Sequence, residues 1–155
     1  MIYIGFSSTN TILSRLIRWV TGGVVSHTFL VFEMYGRPWL LEAEWDGIVV
    51  TPMEKFKAHN NIVKIFPVAS LTDKDISLAM DMLGEAYDYT GVFGIIITKF
   101  GDIFKKKWRN PLNNTKALFC SEMVTKVLQN AQYPGSDILI PENTSPQDLL
   151  TFLSD

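Results

Sequence analysis

The stretch from 27 to 51 limits the fold more than any other part of the chain. Residues 27–32 (HTFLVF) form one apolar run, which Tyr35-Gly36-Arg37-Pro38 breaks. Residues 39–45 (WLLEAEW) form a second, Asp46-Gly47 supplies a turn, and 48–51 form a third. Short aromatic and β-branched runs separated by glycine turns predict three strands in an antiparallel meander. Such a sheet has an apolar face that helices must cover.

The rest of the chain supplies them. Residues 2–6 read as a short strand and Ser7 to Asn10 as turn and cap chemistry. Ile12, Leu13, Leu16, Ile17 and Val20 then recur at helical spacing until Gly22-Gly23. A helical turn follows Pro52, and residues 62–66 predict another strand. Thr72 caps a helix through Leu83 that places Ile76, Ala79, Met80 and Leu83 on one face and ends at Gly84. A further helix starts at Cys120, with Met123, Val124, Val127, Leu128 and Ala131 as its buried stripe. Ser145-Pro146 caps a closing helix over 146–153. The expected class is α+β, a small antiparallel sheet packed against helices, in one domain spanning 1–155.

Composition narrows the function. The chain is 47% apolar and 19% charged with a formal charge of −2, a poor balance for binding nucleic acid through many phosphates. No basic segment precedes the apolar start and no cleavage pattern follows it, so no secretory signal is evident and a cytoplasmic location is expected. Apolar runs such as VFGIII at 92–97 fall far short of the ~20 residues of a membrane span. Gly91 and Gly94 lack a phosphate-loop context, and no spacing of His, Asp or Glu suggests a metal, so neither cofactor nor metal is expected.

One cysteine excludes an internal disulfide and directs attention to Cys120 as a nucleophile. A thiol at a helix N-terminus meets unpaired N–H groups and the positive end of the macrodipole, which favour the thiolate. The alternative is an inert core thiol. Of the two histidines, His27 opens an apolar strand and shares a side with Phe29 and Val31; it serves either as a base facing a cleft or as a structural imidazole. His59, in the polar stretch KAHNN, reads as a solvated loop residue. Glu42 and Glu44 lie on the face opposite Leu41 and Ala43. A turn centred on Met34-Tyr35 pairs position 27 with 42, and one centred on Tyr35-Gly36 pairs it with 44, so spacing leaves both glutamates open as the group that orients the imidazole. The basic run KKKWR at 105–109 reads as a solvated loop or as an attachment to anionic lipid or an acidic substrate.

Three collinear blocks carry a resemblance: SHTFLVFEMYGRPWLLEAEWDGIVVTPMEKF at 26–56, GEAYDY at 84–89 and FCSEMVTKVLQNA at 119–131, with a weaker fourth in IPENTSPQDLL at 140–150. They resemble the circularly permuted branch of the NlpC-like, papain-fold cysteine peptidases, and within it the YiiX-like proteins. The resemblance implies a papain-like core with its elements in shifted cyclic order, histidine strand first and cysteine helix last. It implies Cys120 as nucleophile, His27 as base, Glu42 (the glutamate followed by Ala43) as orienting acid, and Tyr87 beside the oxyanion. It further implies hydrolysis of peptide or acyl-amide bonds, with cell-wall stem peptides as the leading class. The stretch between Tyr87 and Cys120 is longer than the YiiX-like pattern, which makes 90–118 an insert that covers the cleft or decorates the fold. Two rival functions remain. One is a lipid-directed thiol acyltransferase or hydrolase of the lecithin retinol acyltransferase-like type, with peripheral membrane contact through 92–109. The other is a non-catalytic binding module.

Overall fold

A computed structural model describes residues 1–44, 47–83, 86–87, 117–118 and 120–155, with the backbone alone at 86–87 and 117–118. The expected insert at 90–118 and its KKKWR cluster lie outside the described residues, apart from the backbone of 117–118. Along the chain run β1 (Tyr3–Ser8), α1 (Ile12–Thr21), β2 (His27–Met34), β3 (Arg37–Glu44), β4 (Gly47–Pro52), α2 (Met53–Lys57), β5 (Asn61–Pro67) and α3 (Asp73–Met80). The two-residue strands β6 (Ala86–Tyr87) and β7 (Ala117–Leu118) follow, then α4 (Cys120–Asn130), two single 3-10 turns (Ser136–Ile138 and Pro141–Asn143) and α5 (Pro146–Phe152).

The five-stranded sheet has the order β4-β3-β2-β1-β5, every neighbouring pair antiparallel. The α+β class and the meander expected from 27–51 are both present. The β2–β3 turn places Tyr35 and Gly36 at φ 53° and 70°, with Met34 opposite Arg37. Two consecutive positive φ angles give the turn a twist that matches the flanking strands.

The two sheet faces bury different sets of residues. Ile4, Phe6, Leu30, Phe32, Leu41 and Ala43 pack in one core with Ile76 and Ala79 of α3, the Met123–Val124–Val127–Leu128 stripe of α4, and Leu149 of α5. The other face holds a smaller cluster of Phe29, Val31, Leu40, Met53 and Phe56, closed by α2. The caps follow the sequence. The Asp75 carboxylate accepts from the Thr72 N–H at 2.8 Å, and Asp148 does the same for Ser145 at 2.9 Å.

Strand β1 has a close approach where only glycine fits. Gly5 pairs with Phe29, whose ring lies where a Cβ on residue 5 would stand. Phe29 is fully buried against Phe56 at 4.6 Å between centroids, so the ring has little room to retreat. Gly5→Ala is therefore expected to destabilise the domain by about 1–3 kcal/mol, read as a lower midpoint of denaturant unfolding at unchanged slope.

Helix α1 departs from the simplest reading of its pattern. Its apolar residues form one arc as expected, yet the buried residue of the helix is Ser14. Ile12 is 87% exposed and Trp19 69%. The polar side holds the helix in place. Ser14 Oγ lies 2.6 Å from Ser26 Oγ and donates to the Thr9 carbonyl at 2.8 Å, while the Arg18 guanidinium donates to the same carbonyl at 3.2 Å.

Candidate active site

The thiol, the imidazole and the carboxylate reach one place from separate elements. Helix α4 begins at Cys120 and packs mainly on β2, anchored by Met123 and Val124 in the core beside Leu30. Helix packing thus fixes the sulfur at the first residue of the helix, against the start of the histidine strand. His27 is the first residue of β2 and pairs with Ser7 of β1. Its ring lies 6.0 Å from that of Phe29 and 6.1 Å from that of Phe56, so the smaller core forms the aromatic wall behind it. The same-side alternation of His27, Phe29 and Val31 holds in that cluster.

Glu42 supplies the carboxylate. Its Oε2 lies 3.0 Å from His27 Nε2, and the residue is 1% exposed in the middle of β3, opposite Val49 of β4. The turn is centred on Tyr35-Gly36, the register that by itself sets position 44 across from 27. The ladder between β2 and β3, however, ends at the pair Leu30–Leu41. Beyond it His27 is paired only toward β1, and its ring meets the diagonal glutamate, a distance long side chains can span. Glu44 remains exposed on the rim of the cleft.

The charges in the site are coupled. Burial is the strongest single influence on the imidazole and pulls its pKa down. The Cys120 charge, the hydrogen bond to the thiol and the bond and charge of Glu42 outweigh burial and raise it to about 10. Burial likewise pushes the Cys120 thiol up. The His27 charge and hydrogen bond, with the Thr28 and Ser121 backbone N–H groups, overcome that and hold the thiol below its ordinary value. Both shifts favour the thiolate–imidazolium form of the pair. With Nε2 engaged by Glu42, Nδ1 is the ring nitrogen left for the sulfur. The other Glu42 oxygen, Oε1, is buried without a hydrogen-bond partner among the described residues, so the carboxylate directs its charge at the ring.

A cleft of about 350 Å³ opens beside His27 and Glu42, walled by Leu13, Ser14 and Ile17 of α1 and by Phe56. His59 lines a different cleft, with Arg18, Asn10 and Asn61, and takes no part in this site. The backbone of Tyr87 pairs with Leu118, two residues before Cys120. The Tyr87 side chain lies outside the described residues.

Glu42→Gln keeps a hydrogen-bonding side chain at Nε2 but removes the charge that stabilises the imidazolium. If the site turns over an amide, kcat is expected to fall by about 100- to 10,000-fold, whereas Glu44→Gln should stay within about twofold of wild type.

Fold and site together define an α+β protein, built on a five-stranded antiparallel sheet, that carries a Cys-His-Glu constellation at the junction of a helix N-terminus and a strand start. It shares its fold with the crystal structure of metalloprotein yiiX from Escherichia coli O157:H7 (DUF1105), at a TM-score of 0.56 and 22% identity. The match covers 83% of this chain and 64% of that one, so the chain spans less than two thirds of its neighbour's length. No family model matches the chain, and no curated protein matches it. Among the described residues no three His, Cys, Asp or Glu side chains converge as a metal site. Cys120, His27 and Glu42 stand in series with the ring between the other two, an arrangement that can pass a proton. Among the described residues no helix is long and apolar enough to cross a membrane.

Proposed function

We propose that the chain is a cysteine hydrolase that cleaves amide bonds through an acyl-enzyme, on a permuted NlpC-like core with the histidine strand first and the cysteine helix last. The observation that carries this reading is the imidazole held 3.0 Å from a buried carboxylate and bonded on its other side to a thiol at a helix N-terminus. An inert core cysteine needs neither partner.

The chemistry follows from the charges. The Cys120 sulfur attacks the carbonyl carbon, forming a C–S bond as the carbonyl π pair moves onto oxygen. The backbone N–H of Cys120, the first residue of α4, serves that oxyanion in this reading, with the Tyr87 hydroxyl as a second donor. The imidazolium of His27 gives its proton to the leaving nitrogen as the C–N bond breaks, and the amine departs. Glu42 holds the ring in orientation and stabilises its charged form throughout. Neutral His27 then takes a proton from water, whose oxygen attacks the thioester. The acid is released, and thiolate and imidazolium are restored. Peptide amides are the substrate class, cell-wall stem peptides first among them.

The test is to incubate the protein with stem peptides and other acyl amides, quench in acid and weigh the intact chain. The expected result is a mass gain equal to the acyl fragment, mapped to Cys120. A protein that releases product with no such adduct and tolerates loss of the thiol overturns the reading.

A further inference from the structure

We propose that the outward face of α1 is a docking surface for an anionic lipid bilayer, which seats the protein with its cleft at the membrane. Amphipathic helices of soluble domains ordinarily turn their apolar side inward. Here the helix is fastened by its polar side, through Ser14 to Ser26 and Arg18 to Thr9, and its apolar arc faces away. Ile12 and Trp19, seven residues apart, lie on one stripe and are mostly exposed; Leu16 and Val20 flank them, half-buried. Val24, just past the glycine cap, is also exposed. Water gains nothing from such an arc, and a bilayer interface does.

Charge selects the occupant. The helix ILSRLIRWVT holds no carboxylate, and of its two arginines Arg18 is engaged on the fastened side while Arg15 is left to serve the outward one. Arg15 is exposed and lies beside Ile12 on the helix surface, where its guanidinium can reach lipid phosphate while the arc enters the acyl boundary. A second copy docked through the same face would set arginine against arginine, with no acid on either helix to compensate. Position also fits. Leu13 and Ile17, on the same arc, form a wall of the cleft beside His27 and Glu42, so a bilayer under α1 would lie at the cleft mouth.

The seat does not depend on thiol chemistry, so it is tested separately from the hydrolase reading. The full chain is sedimented with vesicles of phosphatidylglycerol mixed into phosphatidylcholine, and with phosphatidylcholine alone. Binding is expected to favour the anionic vesicles, and Cys120→Ala should bind as wild type does. Ile12→Glu should lower the partition coefficient at least tenfold. Arg15→Glu should lower it about tenfold, on anionic vesicles only. Both residues are exposed, so thermal midpoints near wild type show that the variants fold. No binding to either vesicle, or binding unchanged by Ile12→Glu, overturns the proposal. So does a lipid-free dimer that Ile12→Glu dissociates, since the face would then belong to a second copy.

Discussion

Cys120→Ala is expected to leave no measurable turnover of any amide the wild-type protein cleaves, a loss of about ten-thousandfold or more. In the proposed mechanism the sulfur forms the covalent bond, and alanine offers no atom that could replace it. The substitution removes one atom from a residue that is 4% exposed and leaves the His27–Glu42 contact in place, so the fold should tolerate it at a cost of about 1 kcal/mol. Turnover within tenfold of wild type would end the thiol mechanism. The same variant should lose the acyl adduct, while a module that merely binds peptide would keep its affinity.

His27→Gln carries the second large effect, on the sulfur itself. Gln retains a donor for Glu42, which matters because a buried carboxylate stripped of its partner destabilises a fold by about 3–5 kcal/mol. It supplies no positive charge, so burial then acts on Cys120 against only the Thr28 and Ser121 N–H groups, and the thiol pKa rises. An ordinary thiol is only a few per cent ionised at pH 7, and a buried one less. The rate of reaction with a small alkylating reagent at pH 7 should therefore fall about 100-fold, and the ultraviolet thiolate band should vanish. In the wild type, whose thiol value is lowered, that band persists to lower pH than in a free thiol. Turnover has a further limb. As pH rises through about 10, His27 loses the proton it must give the leaving amine, so turnover declines while the thiolate remains. A wild-type thiol that titrates like free cysteine would contradict both expectations.

Local pattern made much of the fold legible. The glycine turns of 27–51 announced the meander, and the Met123–Val124–Val127–Leu128 spacing announced the helix behind Cys120. Two features depended on tertiary contacts that no local pattern holds. Periodicity told that Ile12, Leu16 and Val20 share a face, but the side of α1 that packs is fixed by Ser14 meeting Ser26, twelve residues away. Hairpin arithmetic left Glu42 and Glu44 both open; the observed Tyr35-Gly36 turn sets 44 across from 27, but the ladder stops at Leu30–Leu41 and leaves the ring to the diagonal Glu42. The YiiX-like resemblance singled out Glu42 where spacing had left two choices.

The histidine strand occupies the middle of five, with β3 on one side and β1 on the other. Central strands are the last to open in local fluctuations and exchange their amide hydrogens only when the whole domain unfolds. Heat should therefore silence the imidazole in a single event, with inactivation and melting superimposed. Edge strands β4 and β5 would fray first without disturbing the proton carrier.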